Sequence, residues 1–224
     1  MENNKGKIIV IEGLDGSGKN TQARLLCDRL SEDFKIKRLS FPDYDSQSSA
    51  LVKMYLGGEF SDDPMAVNAY AASSFYAVDR IASYLKNWKE DFEGGVNFVF
   101  DRYTTSNAVY MLSKLEGEEK EVFLSWLVDF EFNKMGLPKP DKVIYLDMPT
   151  EISQKLMSKR YEGDESKKDL HEKNVDFLKI CRGNALFAAE KLGWTVIQCS
   201  DGENPYTIEE ISEKVYKEAM EVFN

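Results

Sequence analysis

At 224 residues, with 42% hydrophobic and 30% charged side chains, the chain has the make-up of a globular protein with a sizeable core. Its formal net charge of −10 excludes a general nucleic-acid or anionic-membrane binder, so any phosphate site must be a local pocket of cations within an acidic surface. Cys27, Cys181 and Cys199 are widely spaced with no C-x-x-C pair, which predicts reduced buried thiols in a cytoplasmic protein. No apolar run suits a signal peptide or a membrane span.

Five β-rich runs appear in chain order: Lys7–Ile11, Lys35–Ser40, Val96–Phe100, Lys142–Leu146 and Trp194–Cys199. Three of them are nearly all apolar, as expected of strands buried on both faces of a parallel sheet. Helical spacing of apolar residues predicts helices over Thr21–Phe34, Pro64–Trp88, Glu118–Met135, Leu170–Leu192 and Thr207–Phe223. Strand and helix alternate along the whole length without repeat or linker. The expected fold is a single α/β domain over residues 1–224, a doubly wound parallel sheet with helices on both faces.

In such a sheet ligands bind beyond the carboxyl ends of the strands. After the first strand stands Gly13-Leu14-Asp15-Gly16-Ser17-Gly18-Lys19-Asn20-Thr21, which fits the phosphate-binding pattern G-x-x-x-x-G-K-[ST] at all but its last position. The glycines let backbone N–H groups turn toward a polyphosphate. Lys19 supplies a cation, and the helix that follows points its positive end at the same charge. Asn20 replaces the hydroxyl that usually reaches Mg²⁺; its amide oxygen is a substitute ligand, and Thr21 lies beside it. Phe41-Pro42-Asp43-Tyr44 follows the second strand and Asp101-Arg102-Tyr103 the third. Asp147 closes the fourth, and Ser200-Asp201-Gly202 follows the fifth, with Asp201 expected to touch the donor nucleotide. Asp101 is placed to organise Mg²⁺, and Arg102 offers a bidentate phosphate contact that a lysine does not.

These segments, with Tyr76-Ala77-Val78-Asp79-Arg80, the ten residues Asp101–Tyr110 and Pro138–Asp147, together resemble the thymidylate kinases, which phosphorylate dTMP to dTDP with ATP. The resemblance spans the chain from first strand to last and implies a P-loop kinase fold with a five-stranded parallel sheet. It implies that Lys19 and the amides of Gly16, Ser17 and Gly18 hold the ATP phosphates, and that Asp15 accepts from the deoxyribose 3′-hydroxyl. Arg102 then grips the acceptor phosphate while Asp101 positions Mg²⁺. Tyr76 stacks on thymine, Arg80 donates to a thymine carbonyl, and Ser106 and Asn107 complete the reading of the base edge. Tyr110 closes off the 2′ side of the sugar, Phe41 and Tyr44 line the pocket, and Arg160 stacks on the donor adenine. The resemblance also implies a homodimer.

Residues 158–170 are densely charged and contain Gly163, which predicts a lid between two helices. The family carries its catalytic Arg either in the phosphate loop or in the lid. Gly16 leaves no Arg in the loop, and Leu170 stands where the lid type has its Arg, so the transition-state cation is expected from Lys167, Lys168 or Arg182. His171, the one histidine, is expected on a helix surface. Two other functions compete: a deoxynucleoside kinase, for which Glu12 is not placed as a base, and a nucleotide-binding switch or scaffold without transfer, favoured by Asn20 and Leu170.

Overall fold

The computed structural model describes residues 5–61, 63, 65–160 and 175–224. Its centre is a parallel sheet of five strands: β1 (Ile8–Gly13), β2 (Ile36–Ser40), β3 (Asn97–Asp101), β4 (Lys142–Asp147) and β5 (Thr195–Gln198). They lie in the order β2-β3-β1-β4-β5. Every predicted strand is present to within two residues at either end. β1 is central and pairs Ile8–Ile11 with Phe98–Asp101 on one side and Ile9–Gly13 with Lys142–Leu146 on the other. All six of its residues are buried, which is why Ile8–Ile11 is a continuous apolar run rather than an alternation. The chain moves from β1 out to β2, back to β3, then across to β4. The loops after β1 and β3 therefore part at a topological switch point, where a ligand crevice opens.

Side chains alternate between the two faces. Ile9 and Ile11 of β1 pack with Val99 and Ile144 under α1 (Lys19–Leu30), joined there by Ile211 and Val215. Ile8 and Val10 face the opposite way, against Phe98, Phe100, Trp88 and Phe92. Glu12 follows Val10 by two residues and so continues that second face.

The helices depart from the expected set in instructive ways. Two short ones, α2 (Ala50–Leu56) and α5 (Thr105–Met111), had no sequence reading. Each has seven residues, too few for an amphipathic stripe to stand out. The helix expected from residue 64 begins later, as α3 (Ala69–Ser83), where the side chain of Asn68 caps it by accepting from Ala71 N. It continues through a π-helical turn at Tyr84–Trp88 into α4 (Lys89–Glu93). The predicted Glu118–Met135 helix is α6 (Glu119–Val128) followed by a second π-helical turn, Asp129–Lys134. Then come α7 (Thr150–Arg160) and α8 (Val175–Leu192); the start proposed for the latter at Leu170 lies outside the described residues. The last helix, α9 (Ile208–Met220), begins where predicted, with Thr207 and Glu210 forming a reciprocal capping box.

All three cysteines are free. Cys181 and Cys199 are buried, and burial pushes each thiol up to about 12, while Cys27 is only half-buried. Among the described residues no helix is long and apolar enough to cross a membrane.

Candidate active site

β1 ends at Gly13, and the chain turns through a hydrogen bond from Ser17 N to Leu14 O (3.1 Å). It enters α1 at Gly18, whose φ of 85° suits a residue without a Cβ. Gly16 also has positive φ, 79°, and lies under α7: a Cβ there would stand 2.7 Å from Ser153 O and 2.9 Å from Met157 Cγ. The loop and first turn of α1, Asp15 to Gln22, form one wall of a cavity of about 410 Å³. Met148, Leu156 and Met157 face them, with Pro205, Tyr206 and Ile208 from the segment before and into α9. This is the geometry of a polyphosphate held at a helix N-terminus with an apolar slot for a ring beyond it.

A second cavity of about 290 Å³ opens on the other side of Asp15. It is lined by Phe41 and Tyr44 after β2, Tyr76 and Arg80 on α3, Arg102 after β3, and Ser106, Asn107 and Tyr110 on α5. Every residue singled out for the substrate therefore reaches one cavity. Asp15 lines both. Its Oδ1 accepts from Lys19 Nζ (3.1 Å) and from Arg102 Nη2, and its Oδ2 from the Tyr110 hydroxyl (3.1 Å). Burial would raise the Asp15 pKa, but Lys19 and Arg102 outweigh it and hold the carboxyl well below the usual range. It stays charged at any working pH.

Arg102 is the one described non-glycine residue with positive φ, 66°. Its N–H donates to Ile11 O (3.2 Å), which fixes the kink beside β1, and its guanidinium reaches back to Asp15 and the Tyr110 hydroxyl (3.1 Å). A left-handed arginine costs on the order of 1 kcal/mol or more and persists because its surroundings hold it.

Three buried carboxylates that the sequence reading did not use hold this wall together. Glu12, fully buried, accepts from Gly13 N (2.9 Å), Thr105 Oγ1 (2.7 Å) and Ser106 Oγ (2.7 Å), with Arg102 Nη1 at 4.0 Å. The Ser106 hydroxyl is thus bound to Glu12, although Ser106 lines the cavity. Asp79 accepts from Asp43 N (2.8 Å) and Ser48 Oγ (2.6 Å), tying the Phe41–Tyr44 loop to α3. Glu131 accepts from Arg80 Nε (2.8 Å) and Nη2 (2.5 Å) and from Asn107 Nδ2 (3.1 Å). A signal existed for Glu12 alone, an acid ending an apolar strand.

Other expected residues are placed differently. Asn20 turns its Nδ2 to Asp101 Oδ2 (2.9 Å), so the amide supports that carboxylate. Asp101 Oδ1 is buried and, among the described residues, accepts no hydrogen bond. Arg182 forms a two-point ion pair with Asp147 (2.6 and 2.8 Å) and lines neither cavity. Asp201 is exposed and accepts from Glu203 N (2.8 Å) and Asn204 N (2.7 Å); it closes its own turn, and its neighbours Pro205 and Tyr206 reach the cavity instead. Arg160 ends α7. Lys167, Lys168, Leu170 and His171 lie outside the described residues, as does most of the segment expected to be a lid.

Two cavities that share one acid, one of them backed by a phosphate loop, describe a two-substrate site. Residues 11–215 match the family model described as thymidylate kinase. The chain belongs to the thymidylate kinase family. A curated thymidylate kinase of Mycobacterium tuberculosis is 30% identical over 188 residues, 81% of this chain and 84% of that one. That of Dictyostelium discoideum is 31% identical over 182 residues, 77% and 75% of the two chains. The solved thymidylate kinase of Candida albicans, described as revealing the origin of broad substrate specificity and a novel structural element, superposes with a TM-score of 0.71. At 22% identity over 98% of this chain and 92% of that one, it shows that the two share the thymidylate kinase fold, the P-loop kinase arrangement.

Proposed function

We propose that this chain transfers the γ-phosphoryl group of ATP to the phosphate of dTMP, yielding dTDP. The observation that carries the reading is Asp15, on which the loop cation Lys19 and the opposite cation Arg102 converge. ATP lies along the phosphate loop with its ring in the slot before α9, and dTMP lies in the cavity between α3 and α5. Lys19 and the loop amides hold the donor phosphates, and Arg102 grips the acceptor phosphate. The transfer is in line, and the residues act by position and charge. An acceptor phosphate is already ionised, so no general base is needed. Asp15 takes the 3′-hydroxyl, Tyr76 stacks on the base for about 1–3 kcal/mol, and Tyr110 and Phe41 close the sugar and ring.

The residues present suit Mg²⁺. Among the described residues, a buried carboxylate oxygen of Asp101 has no hydrogen-bond partner, and no cluster of three or more His, Cys or acidic side chains exists. That suits a cation held by one carboxylate, waters and substrate phosphates. Asp101 is the residue that would hold it, with Asn20 orienting Asp101 rather than serving as a ligand. Bound Mg²⁺ supplies neutralisation of charge on the β and γ oxygens.

The remaining transition-state cation is assigned to the segment around Lys167 and Lys168, or to Arg182 if it leaves Asp147. The whole chain as one domain, a lid at about 158–170, a cytoplasmic location and a homodimer belong to the same reading. For the dimer, exposed Val78 and Leu85 on α3 and the turn after it offer apolar surface. A deoxynucleoside kinase needs a carboxylate base at an open acceptor hydroxyl, whereas Glu12 is fully buried with both oxygens occupied. A coupled ADP-release assay with dTMP against thymidine decides among the readings. Turnover with dTMP is expected. Turnover with thymidine alone would refute it, and no dTMP-dependent ADP release would leave a binding protein.

A further inference from the structure

We infer that Glu131 is a positioning residue that sets the hydrogen-bonding polarity of the base-reading edge, so that the acceptor cavity takes pyrimidines with an N3–H and a C4 carbonyl and rejects those with the reverse pattern. The inference rests on the reading of this cavity as the one that holds the acceptor nucleotide. An asparagine amide has a donor end and an acceptor end, and nothing in the residue itself decides which faces a ligand. Here the surroundings decide. The Asn107 Nδ2 donates to Ser73 O (3.3 Å) and to Glu131 Oε1 (3.1 Å), both within the protein. The carboxylate of Glu131, ion-paired to Arg80, only accepts, so it admits only the NH₂ end of the amide. The opposite end, Oδ1, is left for the cavity that Asn107 lines.

The same carboxylate fixes the neighbouring cation. Arg80 gives Nε and Nη2 to Glu131 and Nη1 to Tyr103 O (3.3 Å). With five N–H groups and three engaged, the guanidinium has two donors left to offer, and Arg80 also lines the cavity. An acceptor beside a donor matches N3–H beside C4=O, the edge shared by thymine and uracil. Cytosine offers an acceptor at N3 and a donor at C4, which meets each protein group with its like. Glu131 is completely buried and does not line this cavity, so it acts on it through Asn107 and Arg80.

The test uses the full-length protein and three acceptors: dTMP, dUMP and dCMP. In Glu131→Gln the amide at position 131 can donate to Asn107 Oδ1, which frees the asparagine to rotate. The kcat/KM ratio of dTMP to dCMP is expected to fall about tenfold or more, chiefly through KM, as when a site loses its matched polar partner. The dTMP to dUMP ratio should stay unchanged, because those two differ only by a methyl group away from this edge. A general loosening of the pocket moves both ratios or neither, and either result overturns the inference.

The exchange variant Asn107→Asp with Glu131→Gln returns an acceptor to the cavity and puts a donor behind it, giving up the contact to Ser73 O and one of those to Arg80. Its dTMP to dCMP ratio should return to within about threefold of the parent. A ratio as relaxed as that of Glu131→Gln overturns the proposal. If the single variant does not fold, the exchange variant answers alone: it must prefer dTMP, and loss of that preference refutes the assignment. Inactivity of the parent toward dTMP is a different result, which would refute the proposed reaction instead.

Discussion

The two cavities that meet at Asp15 are built on opposite plans. The donor side is main chain and apolar surface: loop amides, the start of α1, and Met148, Leu156, Tyr206 and Ile208, with Lys19 the one cation among the described lining residues. The acceptor side is side chains locked to side chains. Arg80, Arg102, Ser106 and Asn107 are each hydrogen-bonded to an acid of the protein itself. The contrast teaches a division of labour. A polyphosphate chain presents the same charge in any rotation and is well served by backbone dipoles, whereas a base must be told from its near relatives and needs fixed side-chain donors and acceptors.

Variants on either side should break this contrast in different ways. The largest effect is expected of Arg102→Ala, which removes the proposed acceptor-phosphate clamp, leaves Glu12 without its nearby cation and leaves Asp15 with Lys19 alone. The loss in kcat/KM for dTMP should be on the order of 10²–10³, with dTMP binding in calorimetry weakened as well. Lys19→Met should cost about 10² in kcat, while dTMP affinity changes by a few-fold at most. Equal loss of dTMP affinity in the two variants would erase the division. Next in size is Glu12→Gln, which removes a buried carboxylate from three donors; urea unfolding should show about 1–3 kcal/mol of lost stability. Smallest is Asn20→Thr. It releases Asp101 Oδ2 and restores a hydroxyl at that position, so the Mg²⁺ concentration for half-maximal velocity should shift a few-fold with kcat nearly constant. No shift would mean that Asn20 does not govern the metal site.

How much of this was legible in the sequence follows from how local each signal is. The strands were legible because burial on both faces makes Ile8–Ile11, Phe98–Phe100 and Val143–Leu146 apolar without interruption. The phosphate loop was legible because glycine spacing and Lys19 lie within nine residues. Most residues named for the acceptor came from resemblance, and all of those named reach its cavity. What fastens them did not come through. Glu131 is 51 residues from Arg80 and 24 from Asn107, and no pattern within one segment pairs them. It also sits in the π-helical turn Asp129–Lys134, where counting 3.6 residues per turn loses the face. Asp201 failed for the opposite reason: it follows a strand, as a ligand-binding residue would, but its carboxylate satisfies the N–H groups of its own turn.

Gly16 marks a road closed to this lineage. Relatives of the other type keep their catalytic arginine inside the phosphate loop, and a single codon change supplies the residue. Here the backbone at position 16 has a handedness that suits glycine, and Ser153 O of α7 lies 2.7 Å from where a first side-chain carbon would go. The loop was shaped around the helix above it, so transplanting the arginine would require lifting α7 as well. A descendant of this protein can improve its catalyst from outside the loop far more readily than from within it.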